Sequence, residues 1–262
     1  GNQFISIPGV NQLSHISHFD ASNNLLTSLP DLSNSRNRLN HYDISNNSAI
    51  SPGPIPSWLL GQDDRYVSFL GLRNTNRTGT LPPNLIYEYG GHEKLDLAEN
   101  NLSGSIPLHF LTSIRYLDLS NNSLTGEVPV NISGSENLTI LNLSHNQLTG
   151  PLPISQTLRY LDVSHNKFTG AFTNEMAEGG SNAIFVDISY NELYGSVPDN
   201  IKHIGRTGGG GTYFNPSEKI YINFSHNYFT SISETIWEIT SANRSEEYEF
   251  DFSFNFLTHF PL

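Results

Sequence analysis

The segment Ile114–Pro129 recurs along this chain, and no other feature of the sequence restricts its fold as strongly. Aligning the copies gives ten turn residues: Asn24, Asn47, Thr75, Asn100, Asn122, Asn146, Asn166, Asn191, Asn227 and Asn255. They lie 20 to 28 residues apart, except for 36 between Asn191 and Asn227. Apolar and polar residues alternate ahead of each turn (Leu117 and Leu119, Leu141 and Leu143, Ile222 and Phe224), which is the period of a half-buried strand. A Ser/Asn turn follows, and the copy returns through Gly and Pro. One such strand cannot bury its apolar face alone, but stacked copies share a continuous core. The expected fold is therefore a repeat solenoid with a parallel β-sheet on its concave face. The convex face should carry extended or 3-10 return segments, with little α-helix. Asn suits the turn because its amide both donates and accepts, tying adjacent coils together.

Two places break the pattern. Thr75 replaces the turn Asn and Arg77 replaces an inward Leu. A hydroxyl cannot match both amide functions, and a buried guanidinium needs partners, so a loosened or displaced turn is expected there. The second break is an insertion near residues 203–215 with Gly208 to Gly211 contiguous, which reads as a flexible loop. No Gly-Lys-Ser/Thr follows it, which argues against a phosphate cradle. At both ends the chain is in phase with the repeat: Phe4-Ile5-Ser6-Ile7-Pro8 matches Leu26-Thr27-Ser28-Leu29-Pro30, and the chain stops at Leu257-Thr258-His259-Phe260-Pro261-Leu262. Residues 1–262 are thus expected to form a single solenoid, uncapped at both ends. Phe4, Ile7, Phe250, Phe252, Phe256 and Phe260 are its candidate self-association edges.

Three motifs, LDLAENNLSGSIP at 95–107, LDLSNNSLTGEVP at 117–129 and LNLSHNQLTGPLP at 141–153, carry a resemblance to a known family. The chain resembles the leucine-rich repeat family in its plant-type LxxLxLSxNxLTGxIP form, over about ten copies and nearly end to end. Gly79, Gly104, Gly126, Gly150, Gly170 and Gly195 keep the glycine of the motif. Members usually carry disulfide-bearing caps; this chain has no Cys and lacks them. The resemblance implies a protein that works through protein–protein contact, as part of a receptor-like ectodomain or as an enzyme-inhibitor-type repeat protein.

Alternate strand residues face outward, so two columns should line the open sheet. One reads His18, His41, Phe69, Lys94, Tyr116, Ile140, Tyr160, Phe185, Tyr221 and Glu249; the other is mostly Asp. The ligand-face candidates are Tyr116, Tyr160, Phe185 and Tyr221 with Asp96, Asp118, Asp162 and Asp187. The rings offer anchoring area, and the carboxylates would select Arg- or Lys-bearing peptides or hydroxyl-rich sugars. The same Asp is also the ordinary filling of the template, so a purely structural role stays open. A repeated, solvated acidic row lacks the asymmetry that acid–base catalysis needs. No Ser/His/Asp or His-Glu-x-x-His arrangement occurs, so no enzyme and no cofactor are expected. His18, His41, Asp20 and Asp43 are a weak metal candidate. His145, His165 and His226 read as fillers of a variable surface slot.

With 13 Lys+Arg against 25 Asp+Glu, the net charge of -12 argues against nucleic acid. No stretch is long and apolar enough to span a membrane. Nine N-x-S/T sequons, at Asn46, Asn76, Asn101, Asn121, Asn131, Asn137, Asn142, Asn223 and Asn243, point to a secreted glycoprotein carrying N-linked glycans. The first expectation is a building block that associates with itself head to tail into a filament. The alternative is a ligand-recognition ectodomain whose partner is another extracellular protein or peptide.

Overall fold

The structure is a computed structural model that describes residues 2–35, 39–60, 67–85, 93–129, 137–179, 182–205, 219–234 and 247–258. It forms two compact units, Gly1–Thr125 and Gly126–Leu262. Each is a parallel β-solenoid. The first stacks His18–Asp20, His41–Asp43, Phe69–Gly71, Lys94–Asp96 and Tyr116–Asp118 in register. The second stacks Ile140–Asn142, Tyr160–Asp162, Phe185–Asp187, Ile220–Asn223 and Tyr248–Asp251. Within each unit the register brings the predicted columns side by side, Lys94 opposite Tyr116 and Tyr160 opposite Phe185.

The coils are joined by their turn amides. Asn166 Nδ2 donates to the carbonyls of Val163 and Ser164 in its own coil and of Leu143 in the previous one, while its Oδ1 accepts the Leu148 N–H at 3.0 Å. Asn47 repeats this in the first unit, donating to Ala21 and Ile44 and accepting from Leu26. Buried backbone groups that would otherwise lack partners are satisfied by one side chain. Beneath the turns, Leu70, Leu72, Leu95, Leu97 and Leu117 are fully buried in the first unit, and Leu141, Leu143, Phe224 and Phe229 in the second.

The irregular third copy keeps its turn. Thr75 Oγ1 donates to the Leu72 carbonyl at 2.7 Å, and the Thr75 N–H reaches Asn100 Oδ1. Arg77 is buried at 2% exposure, with its guanidinium donating to the carbonyls of Thr75, Ser51 and Pro54. Pro54, in a Pro-Gly-Pro insertion of the preceding copy, and the adjacent Ser51 supply two of these acceptors, so the buried guanidinium does not loosen the turn: carbonyl oxygens take the place of a counter-ion. The departure from the other coils is a second left-handed residue, Asn76 at φ of 57°.

The return path is extended, as expected, and its extended stretches pair with one another. It opens with a second set of parallel strands: Thr78–Thr80 and Asn101–Gly104 in the first unit; Gln147–Gly150, Lys167–Ala171, Glu192–Val197 and Tyr228–Ile232 in the second. The glycine of the Leu-x-Gly element sits within these strands. Gly150 has φ of 83°, and a Cβ there would come within 2.9 Å of the Glu127 side chain. The described helices are short, α over His109–Thr112 and Asn174–Gly179 and 3-10 over Val10–Gln12, Ser33–Ser35, Ser57–Leu59 and Asp199–His203.

Of the proposed edge residues, Phe4 and Phe256 are exposed, whereas Ile7, Phe250 and Phe252 are half-buried. Phe260 and the run Gly208–Gly211 lie outside the described residues, as do the sequons at Asn131 and Asn243.

Candidate functional site

In the first unit the outward column is one stack. His18 lies on His41 with ring centroids 4.0 Å apart, His41 lies on Phe69 at 4.2 Å, and Lys94 Nζ sits between the rings of Phe69 and Tyr116. Among the described residues no group of three metal-ligating side chains forms.

The carboxylates beside this stack are not the open, solvated row that the alternation suggests. Asp118 is 3% exposed and Asp96 9%. Arg73 holds both: Nε donates to Asp96 at 3.1 Å, Nη1 to Glu99 at 2.8 Å, and Nη2 to Asp118. Arg73 stands where most coils carry Ser, as at Ser120, whose hydroxyl donates to Asp118 at 2.7 Å. Burial pushes the Asp96 carboxyl up, as does the neighbouring Asp118 charge, and Arg73 pulls it back. Burial, with the Asp118 and Asp96 charges, pushes the Tyr116 phenol up to about 12. The sequence gives little sign of this cluster, because Arg73 and Asp118 are 45 residues apart. Gly71 stands where most coils carry Asp, and the Asp43 carboxylate leans into the space this leaves, its Oδ1 2.5 Å from where a Cβ would sit.

The second unit keeps a more open face. Tyr160, Phe185 and Tyr221 stack with centroids 4.3 and 5.0 Å apart. Beside them, Asp162 Oδ1 accepts the Ser164 N–H and hydroxyl, and Asp187 Oδ1 accepts those of Ser189. Burial pushes the Asp162 carboxyl up against these bonds. Arg73 has no counterpart in this column, so the second oxygen of Asp162 has no cation on it among the described residues; that of Asp187 accepts the Asn223 amide at 3.2 Å.

Of the described sequons, Asn46, Asn101, Asn121 and Asn137 are exposed. Asn76 donates its amide to the Ser48 and Ile50 carbonyls, Asn223 donates to Asp187, and Asn142 accepts from Ser144. The last two stand in the strand column facing the candidate ligand, as the alternation implies.

The slot filled by His145, His165 and His226 is more than variable surface. With Tyr190 and Phe254 it forms a five-ring ladder, with successive centroids 4.1, 4.0, 3.8 and 4.1 Å apart. Every ring belongs to a residue with φ between 52° and 55°. Burial holds the His165 imidazole below its ordinary range, with His145 and His226 adding to the effect and Asp187 opposing it.

Known proteins share this architecture. Family models described as leucine rich repeat match residues 93–148 and 155–171. Receptor-like protein 35 of Arabidopsis thaliana is 28% identical over 159 residues, which is 60% of this chain and 16% of that protein. The leucine-rich-repeat ectodomain of the plant membrane receptor kinase GASSHO1/SCHENGEN3 from Arabidopsis thaliana, solved with Casparian strip integrity factor 2, superposes with a TM-score of 0.76 at 26% identity. The superposition covers 98% of this chain and 29% of the ectodomain. A plant ice-binding protein shares the fold with a TM-score of 0.67 at 21% identity, over 88% of this chain and 70% of that one.

Proposed function

We propose that this plant-type leucine-rich-repeat protein is a recognition module, non-catalytic and extracellular, that binds a peptide or protein segment on its strand columns. One observation carries the reading: in the second unit an unbroken stack of Tyr160, Phe185 and Tyr221 stands beside Asp162 and Asp187, with no internal cation neutralising that row among the described residues. Rings bury large area at low entropic cost, and a carboxylate row selects a segment bearing Arg or Lys. The receptor-kinase ectodomain of the same architecture was solved in a complex, and the curated relative is a receptor-like protein. These support recognition better than head-to-tail filament assembly.

Selecting a random-peptide display library on the protein tests the reading. Enriched sequences should carry Arg or Lys, and Tyr160→Ala together with Phe185→Ala should weaken their binding at least about tenfold, or 1.4 kcal/mol. Enrichment without basic residues, or unchanged affinity in the double variant, rejects it.

A further inference from the structure

The ring ladder of the second unit lies beside the strand columns and borders a feature of its own. A shallow, open groove of about 570 Å³ runs along it, lined by Tyr190, His226 and Phe254 of the ladder and by Tyr228 and Phe256. Tyr190 is 44% exposed and Tyr228 49%, so aromatic surface is left in solvent where burial would be favourable. Tyr228 and Phe256, which also line the groove, stack with centroids 5.8 Å apart and planes tilted 21°.

The backbone adds an independent observation. The corresponding turn positions in the first unit are Asn23, Asn46, Asn74, Glu99 and Asn121, all left-handed and mostly Asn, the residue that accepts this conformation most readily. Tyr190 adopts the same conformation at φ of 52°, where a bulky side chain is disfavoured. Asn would form this turn with less strain, so the turn itself does not call for a ring at this position. Strained residues of this kind concentrate at binding sites.

The lining identifies the ligand class. Among the described residues no carboxylate, ammonium or guanidinium borders the groove, although the chain carries a net charge of -12. The floor amides are already engaged: Asn191 donates to Val163, Ile188 and Ser189, and Asn227 to Ile188, Phe224 and Ser225. What remains is aromatic surface edged by phenol hydroxyls and imidazole nitrogens. An uncharged ligand with apolar faces and many hydroxyls fits this, whereas a charged peptide finds no counter-ion. The geometry points to a binding site for a neutral oligosaccharide between the Tyr190 and Tyr228 rows, separate from the strand columns.

Isothermal titration of the whole chain with cellohexaose, xylohexaose and mannohexaose, with a charged oligogalacturonate for comparison, tests this. At least one neutral hexasaccharide should bind and the charged one should not. Tyr190→Asn and Tyr228→Gln place at each position a residue that other coils carry in the same column. Each should weaken sugar binding about tenfold while leaving the melting temperature within a few degrees of wild type. Tyr160→Ala, on the strand column, should leave sugar binding unchanged, which separates this site from the one proposed above. No binding of any neutral hexasaccharide at millimolar concentration overturns the proposal. So does wild-type affinity in the two groove variants, or loss of binding in Tyr160→Ala. Concentration-dependent dimerisation abolished by the groove variants, without sugar binding, would assign the groove to a second copy of the chain and equally overturn it.

Discussion

The two units repeat one backbone and differ in what their outward columns hold. In the first, Arg73 ties Asp96, Glu99 and Asp118 together, and the left-handed turn position carries Asn four times out of five. In the second, Ser takes the place of Arg73 beside the acidic column, and every corresponding turn residue carries a ring. The first unit thus spends its charge internally, while the second leaves carboxylate oxygens and aromatic surface available. A solenoid allows this because each coil contacts only its neighbours, so outward columns can change without disturbing the core.

The largest way to break the contrast is to remove Arg73. In Arg73→Met, Asp96 and Asp118 become neighbouring carboxylates with little solvent and no cation. Chemical denaturation should show a loss of about 3 kcal/mol. Adding Asp96→Asn and Asp118→Asn should recover much of it, whereas full stability in the single variant would show that the cluster is incidental. A smaller loss, about 2 kcal/mol, is expected for Gly71→Ala, whose Cβ must displace the Asp43 carboxylate or the strand itself. The same measurement on Phe185→Ala in the second unit should change stability less than it changes ligand binding.

Tyr190→Asn sharpens the comparison from the other side. Losing ring contacts with His165 and His226 should be offset by relief of the left-handed turn, leaving a net change below about 1 kcal/mol. A loss of several kcal/mol would mean that the ladder holds the fold together.

The smallest effect concerns pH. The folded His165 titrates below its ordinary value of 6.5, so its contribution to stability is present above that value and is lost as pH falls through it. Melting temperature should therefore decline between pH of about 7 and about 5.5, and less steeply in His165→Asn. His41 is shifted in the same direction by burial and by His18, so part of the decline should survive in that variant. Asp162, whose carboxyl is shifted upward, acts with the opposite sign at lower pH.

Coil period, the parallel sheet and the role of the turn Asn were legible because they depend on spacing alone. The column of Tyr160, Phe185 and Tyr221 followed from the two-residue alternation of a strand, and the structure stacks the three rings. Arg73 escaped notice because its effect depends on carboxylates one and two coils away, which alternation within a single strand does not reveal. Thr75 and Arg77 misled for a related reason: the carbonyls of Ser51 and Pro54 that satisfy the guanidinium come from the preceding copy, beside and within its Pro52–Pro54 insertion. The pairing of the extended return segments into a second set of strands was not legible: their glycines stand at positive φ while the backbone continues in register. The ring ladder was visible only as scattered His, Tyr and Phe at one slot, and became a structure once the stacked coils brought successive ring centroids about 4 Å apart.

The most direct test is hydrogen–deuterium exchange of the whole chain with and without a basic peptide enriched from the library. Slowed exchange centred on Tyr160–Asp162, Phe185–Asp187 and Ile220–Asn223 is the predicted result. Protection confined to the return segments, with these three strands unchanged at saturating peptide, would contradict it.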